Sequence, residues 1–207
     1  MPNCTLDSIC PSIDWLTFTA TKEANRVGLW NLGRELVELS ANEGNDRRPW
    51  RWRDYSGFHG GNATVGRRED SDILQLSGHL ADEWFDKAWL TSDHCTRLDL
   101  AVTVWGGGDL GNLAERHNSE VLAWKEEHNR EISVKLITDN GTPNTLYLGS
   151  RHSDLYARIY DKFVECGDPA FKGAWRYELE IKGDPAQRGA AYLHSAGDRP
   201  GRIRGSV

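Results

Sequence analysis

The sequence predicts an α+β protein with a central, mostly antiparallel sheet and helices packed on one face. Three observations carry this. Short segments that alternate apolar and polar residues recur along the 207-residue chain. Between them lie stretches with apolar residues at helical spacing. Their order is strand, helix, strands, helix, then strand, helix, strands, which is an α+β pattern. The same order is compatible with a duplicated βαβ-type layout.

Residues 13–19 (Ile-Asp-Trp-Leu-Thr-Phe-Thr) alternate as a half-buried strand. Residues 23–42 carry Leu29, Leu32, Leu36 and Leu39 at helical spacing, with Gly44 beyond as a stop. Residues 47–55 are basic and aromatic and lead into the glycine-rich run 57–61. Tryptophan and arginine can stack on bases while arginines meet phosphates, so this run has the character of a nucleic-acid contact. A surface loop leading into a strand is the plain alternative. Strands are predicted at 63–68 and 73–77, a helix at 80–90, and a strand at 96–105 that ends in Gly106-Gly107-Gly108. A second long helix is predicted at 112–129, followed by strands at 133–138, 145–148, 155–161 and 175–182. The polar tail from Gly183 is predicted to hold one short helix at 186–194. Residues 1–182 are thus expected as one catalytic domain and 183–207 as a short tail.

Bulk composition narrows the classes. Hydrophobic residues make up 38% and charged residues 27%, as in a globular protein with a real core. No apolar run approaches the roughly 18 residues of a membrane span. The first residues lack a basic segment followed by an apolar core, so a cytoplasmic protein without membrane association is expected. The net charge of −6 argues against a non-specific nucleic-acid coat protein, but not against a local basic patch. Cys4, Cys10, Cys95 and Cys166 form no C-x-x-C pair, and reduced thiols are expected. The seven histidines form no close pair, so a histidine-based metal centre has little support. Gly106-Gly107-Gly108 lacks the Gly-Lys-Ser/Thr ending of a nucleotide loop.

The chemistry concentrates between residues 145 and 182. Period two places Tyr156, Arg158, Tyr160 and Lys162 on one strand face. Cations there lower the cost of forming a phenolate and bind phosphate oxygens. On the last strand Arg176, Glu178, Glu180 and Lys182 share a face, and Asp99 shares one with Arg97. If these strands are neighbours, Asp99 with Glu178 or Glu180 makes an all-oxygen site suited to Mg²⁺ or Mn²⁺. The plain alternative is a solvated face of cross-strand ion pairs.

An ordered set of segments resembles the replication initiation factor family (Rep_trans), the rolling-circle replication initiators of plasmids and filamentous phages with related relaxases of conjugative elements. The segments are Asp14-Trp15, Leu-Gln-Leu-Ser-Gly at 74–78, Arg-Leu-Asp-Leu-Ala at 97–101, Thr-Leu-Tyr-Leu-Gly-Ser-Arg at 145–151, Arg-Ile-Tyr-Asp-Lys at 158–162 and Arg-Tyr-Glu-Leu-Glu at 176–180. The resemblance implies metal-dependent nicking and strand transfer through a covalent 5′-phosphotyrosine. It implies Tyr160 as nucleophile, with Tyr156 and Tyr147 as alternatives, and Asp99, Glu178 and Glu180 as ligands of Mg²⁺ or Mn²⁺. Arg151, Arg158, Lys162 and Arg176 become phosphate or transition-state contacts. Single-stranded or origin DNA is the implied partner, with a host helicase as a further one. The chain ends about 25 residues after Lys182, shorter than the family pattern. Three readings follow: a tyrosine nickase, an origin-binding module without catalysis, and a carboxylate-metal nuclease that uses water.

Overall fold

The computed structural model describes residues 9–42, 47–106, 132–139 and 142–196, with the isolated positions 115 and 119. It is an α+β fold whose chain forms two compact units. The first unit comprises Ser12–Asp99 with Ile181–Val207, the second Met1–Pro11 with Leu100–Glu180. The boundaries fall inside the long strands β1 (Ile9–Ala20), β6 (His94–Trp105) and β10 (Ala174–Lys182).

In the first unit β1 leads into α1 (Glu23–Asn42). The strands β2 (Arg48–Trp52), β3 (Tyr55–Gly60), β4 (Ala63–Arg67) and β5 (Asp72–Ser77) follow as an antiparallel meander. Their order is β2-β3-β4-β5-β1, and β1 also pairs antiparallel with β5. The register sets Leu16 opposite Leu76 and Phe18 opposite Leu74, so period two sends these four to one buried face. Helices cover that face. Leu29, Leu32, Leu36 and Val37 of α1 are buried. Phe18 lies 6.1 Å from the ring of Phe85 and 6.5 Å from that of Trp89, both on α3 (Phe85–Leu90). Each such side chain contributes about 1.5–3 kcal/mol by leaving water.

The N-terminal end of α1 is satisfied from a distance. Asp93 Oδ2 accepts the backbone N–H of Thr21 at 2.7 Å and of Lys22 at 2.9 Å. Burial alone would raise the Asp93 carboxyl, but these bonds hold it well below the usual carboxylate range. Close approach of α1 to the sheet requires Gly33, where an added Cβ would meet Val65 Cγ2 at 2.5 Å. Gly33→Ala is expected to destabilise the protein by about 1–3 kcal/mol through overpacking. Chemical denaturation checks this, and an unchanged midpoint would show that α1 can slide away from β4.

The second unit holds β7 (Val134–Asp139), β8 (Thr142–Leu148) and β9 (Leu155–Asp161), then α4 (Lys162–Cys166), a 3₁₀ turn at Pro169–Phe171, and β10. Pairs β7–β8 and β8–β9 are antiparallel. Buried Leu146 and Ile159, with Val134, Leu136, Leu148, Trp175 and Tyr177 against them, form its core face. The strand order β6-β10-β9-β8-β7 repeats the β1-β5-β4-β3-β2 of the first unit. In the first unit the element is a long strand and a helix followed by an antiparallel meander whose last strand pairs antiparallel with the first.

Other expectations change in detail. The basic run is not a loop: it forms β2 and the turn of a β2–β3 hairpin. The predicted helix over 80–90 divides into α2 (His79–Glu83) and α3, because Trp84 leaves helical dihedrals (φ −102°, ψ 9°). Residues 183–196 fold as the helix α5 (Gly183–Ala196). The predicted helix at 112–129 and the glycines at 107 and 108 lie outside the described residues. Among the described residues Cys95 and Cys166 are free thiols, and burial pushes the Cys95 thiol up to about 12. None of the described helices is long and apolar enough to cross a membrane.

Candidate active site

The alternation of β9 separates two faces. Ile159 joins the core, while Tyr156, Arg158 and Tyr160 face the other way. The β8 register sets Tyr147 opposite Arg158 and Thr145 opposite Tyr160, extending this polar face by one strand. On β10, Trp175 and Tyr177 pack on the core, which leaves Arg176 and Glu178 for the polar face.

Glu178 is the hub, although it is 6% exposed. Its Oε1 accepts the Tyr160 hydroxyl at 2.5 Å and Arg176 Nε at 2.9 Å. Its Oε2 accepts Arg158 Nε. Arg176 Nη1 also donates to Thr103 Oγ1 at 3.0 Å, which ties β6 to the cluster. The Arg158 guanidinium stands 5.3 Å and Lys162 Nζ 5.8 Å from the centre of the Tyr160 ring. A cleft of about 220 Å³ opens beside the phenol, lined by Thr145, Tyr147, Arg158, Tyr160, Asp161 and Glu165 among others. Asn144 also lines it, and its buried Oδ1 has no hydrogen-bond partner among the described residues.

Electrostatics hold the proton on the tyrosine. Burial raises the Tyr160 phenol far above its ordinary value, and its hydrogen bond to the Glu178 carboxylate adds to this. For Glu178 burial also acts upward, but the Tyr160 hydrogen bond and the two arginines outweigh it. Its carboxyl lies below the usual range. The arrangement is a neutral phenol aimed at an ionised carboxylate and surrounded by cations. An ionised carboxylate within hydrogen-bond reach of a nucleophile is the geometry of general-base activation.

The other expected site residues fall as follows. Lys162 is the first residue of α4 and not part of the strand face; its Nζ meets Glu165 at 2.6 Å. Tyr147 and Tyr156 stack with ring centres 5.8 Å apart and planes at 18°. Arg151 belongs with that pair, its Nε 3.5 Å from Tyr156 Oη. Glu180 lies two residues beyond Glu178 on β10. In the first unit, Asp99 is 5% exposed and bound by Arg97, Nε to Oδ1 at 2.9 Å and Nη2 to Oδ2 at 2.5 Å.

These pairings bear on a metal ion. Among the described residues no group of three or more His, Cys, Asp or Glu stands together to hold one. Guanidiniums occupy Asp99 in the first unit and Glu178 in the second. Thr103, Asn144 and Glu165 were not anticipated. Thr103 continues the period-two row of Arg97, Asp99 and Ala101, and Glu165 lies one helical turn from Lys162; either spacing would have pointed to them.

No curated protein matches the chain. A solved structure titled as the rolling circle replication initiator protein from Geobacillus stearothermophilus is similar, at 20% identity and a TM-score of 0.58. The match covers 91% of this chain and 80% of that one, and at this identity the likeness is one of fold. The family described as replication initiation factor matches residues 94–200, a span that contains β6 to β10 and every residue bound to Glu178. The chain belongs to the replication initiation factor family.

Proposed function

We propose that the protein nicks DNA at a replication origin and transfers the strand, with Tyr160 as the nucleophile. The observation that carries this reading is the 2.5 Å hydrogen bond from the Tyr160 hydroxyl to Glu178, inside a cluster of Arg158, Arg176 and Lys162 beside an open cleft. In the reaction a scissile phosphate in the cleft draws Arg158 away from Glu178. The carboxylate loses a stabilising cation, becomes more basic and takes the phenol proton. The Tyr160 oxygen forms a bond to phosphorus as the P–O3′ bond breaks. The departing 3′ oxygen takes up a proton, and the 5′ phosphate stays on the tyrosine. The arginines and Lys162 stabilise charge on the phosphoryl oxygens. Reversal of the same steps with another 3′ hydroxyl transfers the strand.

A requirement for Mg²⁺ or Mn²⁺ is a separate part of the proposal. It rests on the chemistry of Asp99, Glu178 and Glu180, whose hard oxygens suit such ions. The arginines on Asp99 and Glu178 must yield before either carboxylate coordinates, so no step above runs through an ion. A bound ion would supply further polarisation of the phosphate. Asp99→Ala is expected to raise the Mn²⁺ concentration for half-maximal cleavage about tenfold or more. An unchanged Mn²⁺ midpoint would remove Asp99 from the ligand set.

One observation favours a second reading, an origin-binding module without catalysis. Tyr160 is 6% exposed and hydrogen-bonded, as a purely structural tyrosine would be. Incubation with labelled single-stranded DNA and Mn²⁺, followed by a denaturing gel, separates the two. The nickase yields a protein–DNA band that survives denaturation. Binding without cleavage at any metal level supports the module. Cleavage that persists without an adduct would point instead to a water-dependent nuclease.

A further inference from the structure

We infer that the β2–β3 hairpin of the first unit is a surface that binds single-stranded DNA by base stacking and phosphate contact. The inference deepens the nicking proposal, on which its choice of DNA rests, by assigning a surface of the first unit that holds the strand. In a chain of net charge −6, residues 47–54 hold four arginines against the single acid Asp54. Arg47 is engaged by Glu38 and lies over Phe58. Arg48, Arg51 and Arg53 are exposed, and among the described residues none of the three is in an ion pair.

Aromatic rings complete the platform. Period two places Arg48, Trp50 and Trp52 on one face of β2, opposite His59, Gly57 and Tyr55 of β3. Trp50 and Trp52 have ring centres 6.4 Å apart, and Trp52 stacks on Tyr55 at 6.2 Å with planes at 14°. Trp50 lies close over β4 because Gly66 is beneath it; a Cβ there would meet the indole at 2.6 Å. The other face of the hairpin carries Phe58 and packs on α1, with Phe58 6.4 Å from Trp30. The tryptophan face is therefore turned away from the helix.

The turn residue points the same way. Arg53 takes the first central position of a two-residue hairpin loop with φ of 51°. Glycine or asparagine occupies that conformation without strain. An arginine there is strained, and strain of this kind collects at functional positions. Its guanidinium sits 4.6 Å from the centre of the Trp52 ring, and Trp52 itself is 43% exposed. The half-buried Trp50 and exposed Trp52, beside Arg48 and Arg53, which among the described residues are in no ion pair, suit unpaired bases linked by phosphates. An acidic peptide would use the arginines and leave the indoles in water.

The test uses the full chain carrying Tyr160→Phe, in chelator, so that binding is read without cleavage. The probe is a fluorescent oligodeoxythymidine, followed by anisotropy and by tryptophan quenching. Trp52→Ala is expected to weaken binding roughly tenfold or more. Arg48→Ser is expected to lower the slope of log affinity against log salt by about 0.7, one phosphate contact to a single strand. Arg53→Gly discriminates most sharply: it is expected to hold or raise the melting temperature while binding weakens. Unchanged affinity in all three variants at unchanged melting temperature would overturn the inference. So would equal affinity for duplex DNA, or tighter binding of RNA of the same composition or of polyglutamate. Adduct formation in the parent chain with no effect of the hairpin variants would defeat this surface and leave the nicking proposal standing. A hairpin that binds DNA in a chain that never forms an adduct would do the reverse.

Discussion

Tyr160→Phe is expected to abolish the covalent protein–DNA adduct, with loss of about a thousandfold or more, the scale of removing a nucleophile. The fold should survive. Phenylalanine keeps the ring between Arg158 and Lys162 and removes only the hydroxyl. Glu178 Oε1 still accepts Arg176 at 2.9 Å, so the lost bond costs about 1 kcal/mol. Tyr156→Phe and Tyr147→Phe disturb a stacked pair that Arg151 serves and should leave the adduct in place. An adduct retained in Tyr160→Phe but lost in either of the others would move the nucleophile.

Glu178 carries the second large effect, and two substitutions divide its roles. Glu178→Ala leaves Arg158 and Arg176 facing a vacated site. Breaking a buried pair of this kind costs about 3–5 kcal/mol, and the half-exposed Arg158 places the expectation at the lower end, about 3 kcal/mol. Glu178→Gln keeps an acceptor for the tyrosine and removes the base. It should fold, and form adduct about a hundredfold or more slowly. The pH dependence has a definite sign. The folded Glu178 carboxyl lies below its ordinary value of 4.5, so its contribution to stability is complete above that pH and is lost as pH falls through the folded value. The Tyr160 phenol lies above its ordinary value of 10.0, so its contribution is complete below pH 10 and is lost as the pH rises beyond it. Melting curves of the parent chain and Glu178→Gln should converge in acid; a constant gap down to pH 2 would contradict the placement of a charged Glu178 in the folded state.

Much of this was legible in the sequence, for physical reasons that also mark where legibility stops. Strands with one buried face announce themselves by period two, as residues 13–19 and 155–161 do, and α1 does so by its leucine spacing. β2 gives no such signal. It stands at the end of the strand order and is exposed at most positions, so it has no alternation to display, and it includes Pro49, which an edge strand tolerates. The site was half visible. Parity alone put Arg158 with Tyr160 and Arg176 with Glu178. Parity does not say which strands lie side by side, so the coupling of all four through one buried carboxylate emerges only from the fold. The plain expectation of cross-strand ion pairs and the expectation of a reactive cluster describe the same residues: Arg158 and Glu178 are such a pair, taken out of water beside a phenol. Arg151 shows the limit of linear proximity. It lies in the turn after β8, which delivers it to Tyr156.

The most direct measurement is to digest the adduct formed on labelled single-stranded DNA and locate the nucleotide by mass spectrometry. A 5′-phosphoryl link is expected on the peptide that contains Tyr160, at its phenolic oxygen. A link on Tyr156 or Tyr147, or cleaved DNA with no peptide attached, would contradict it.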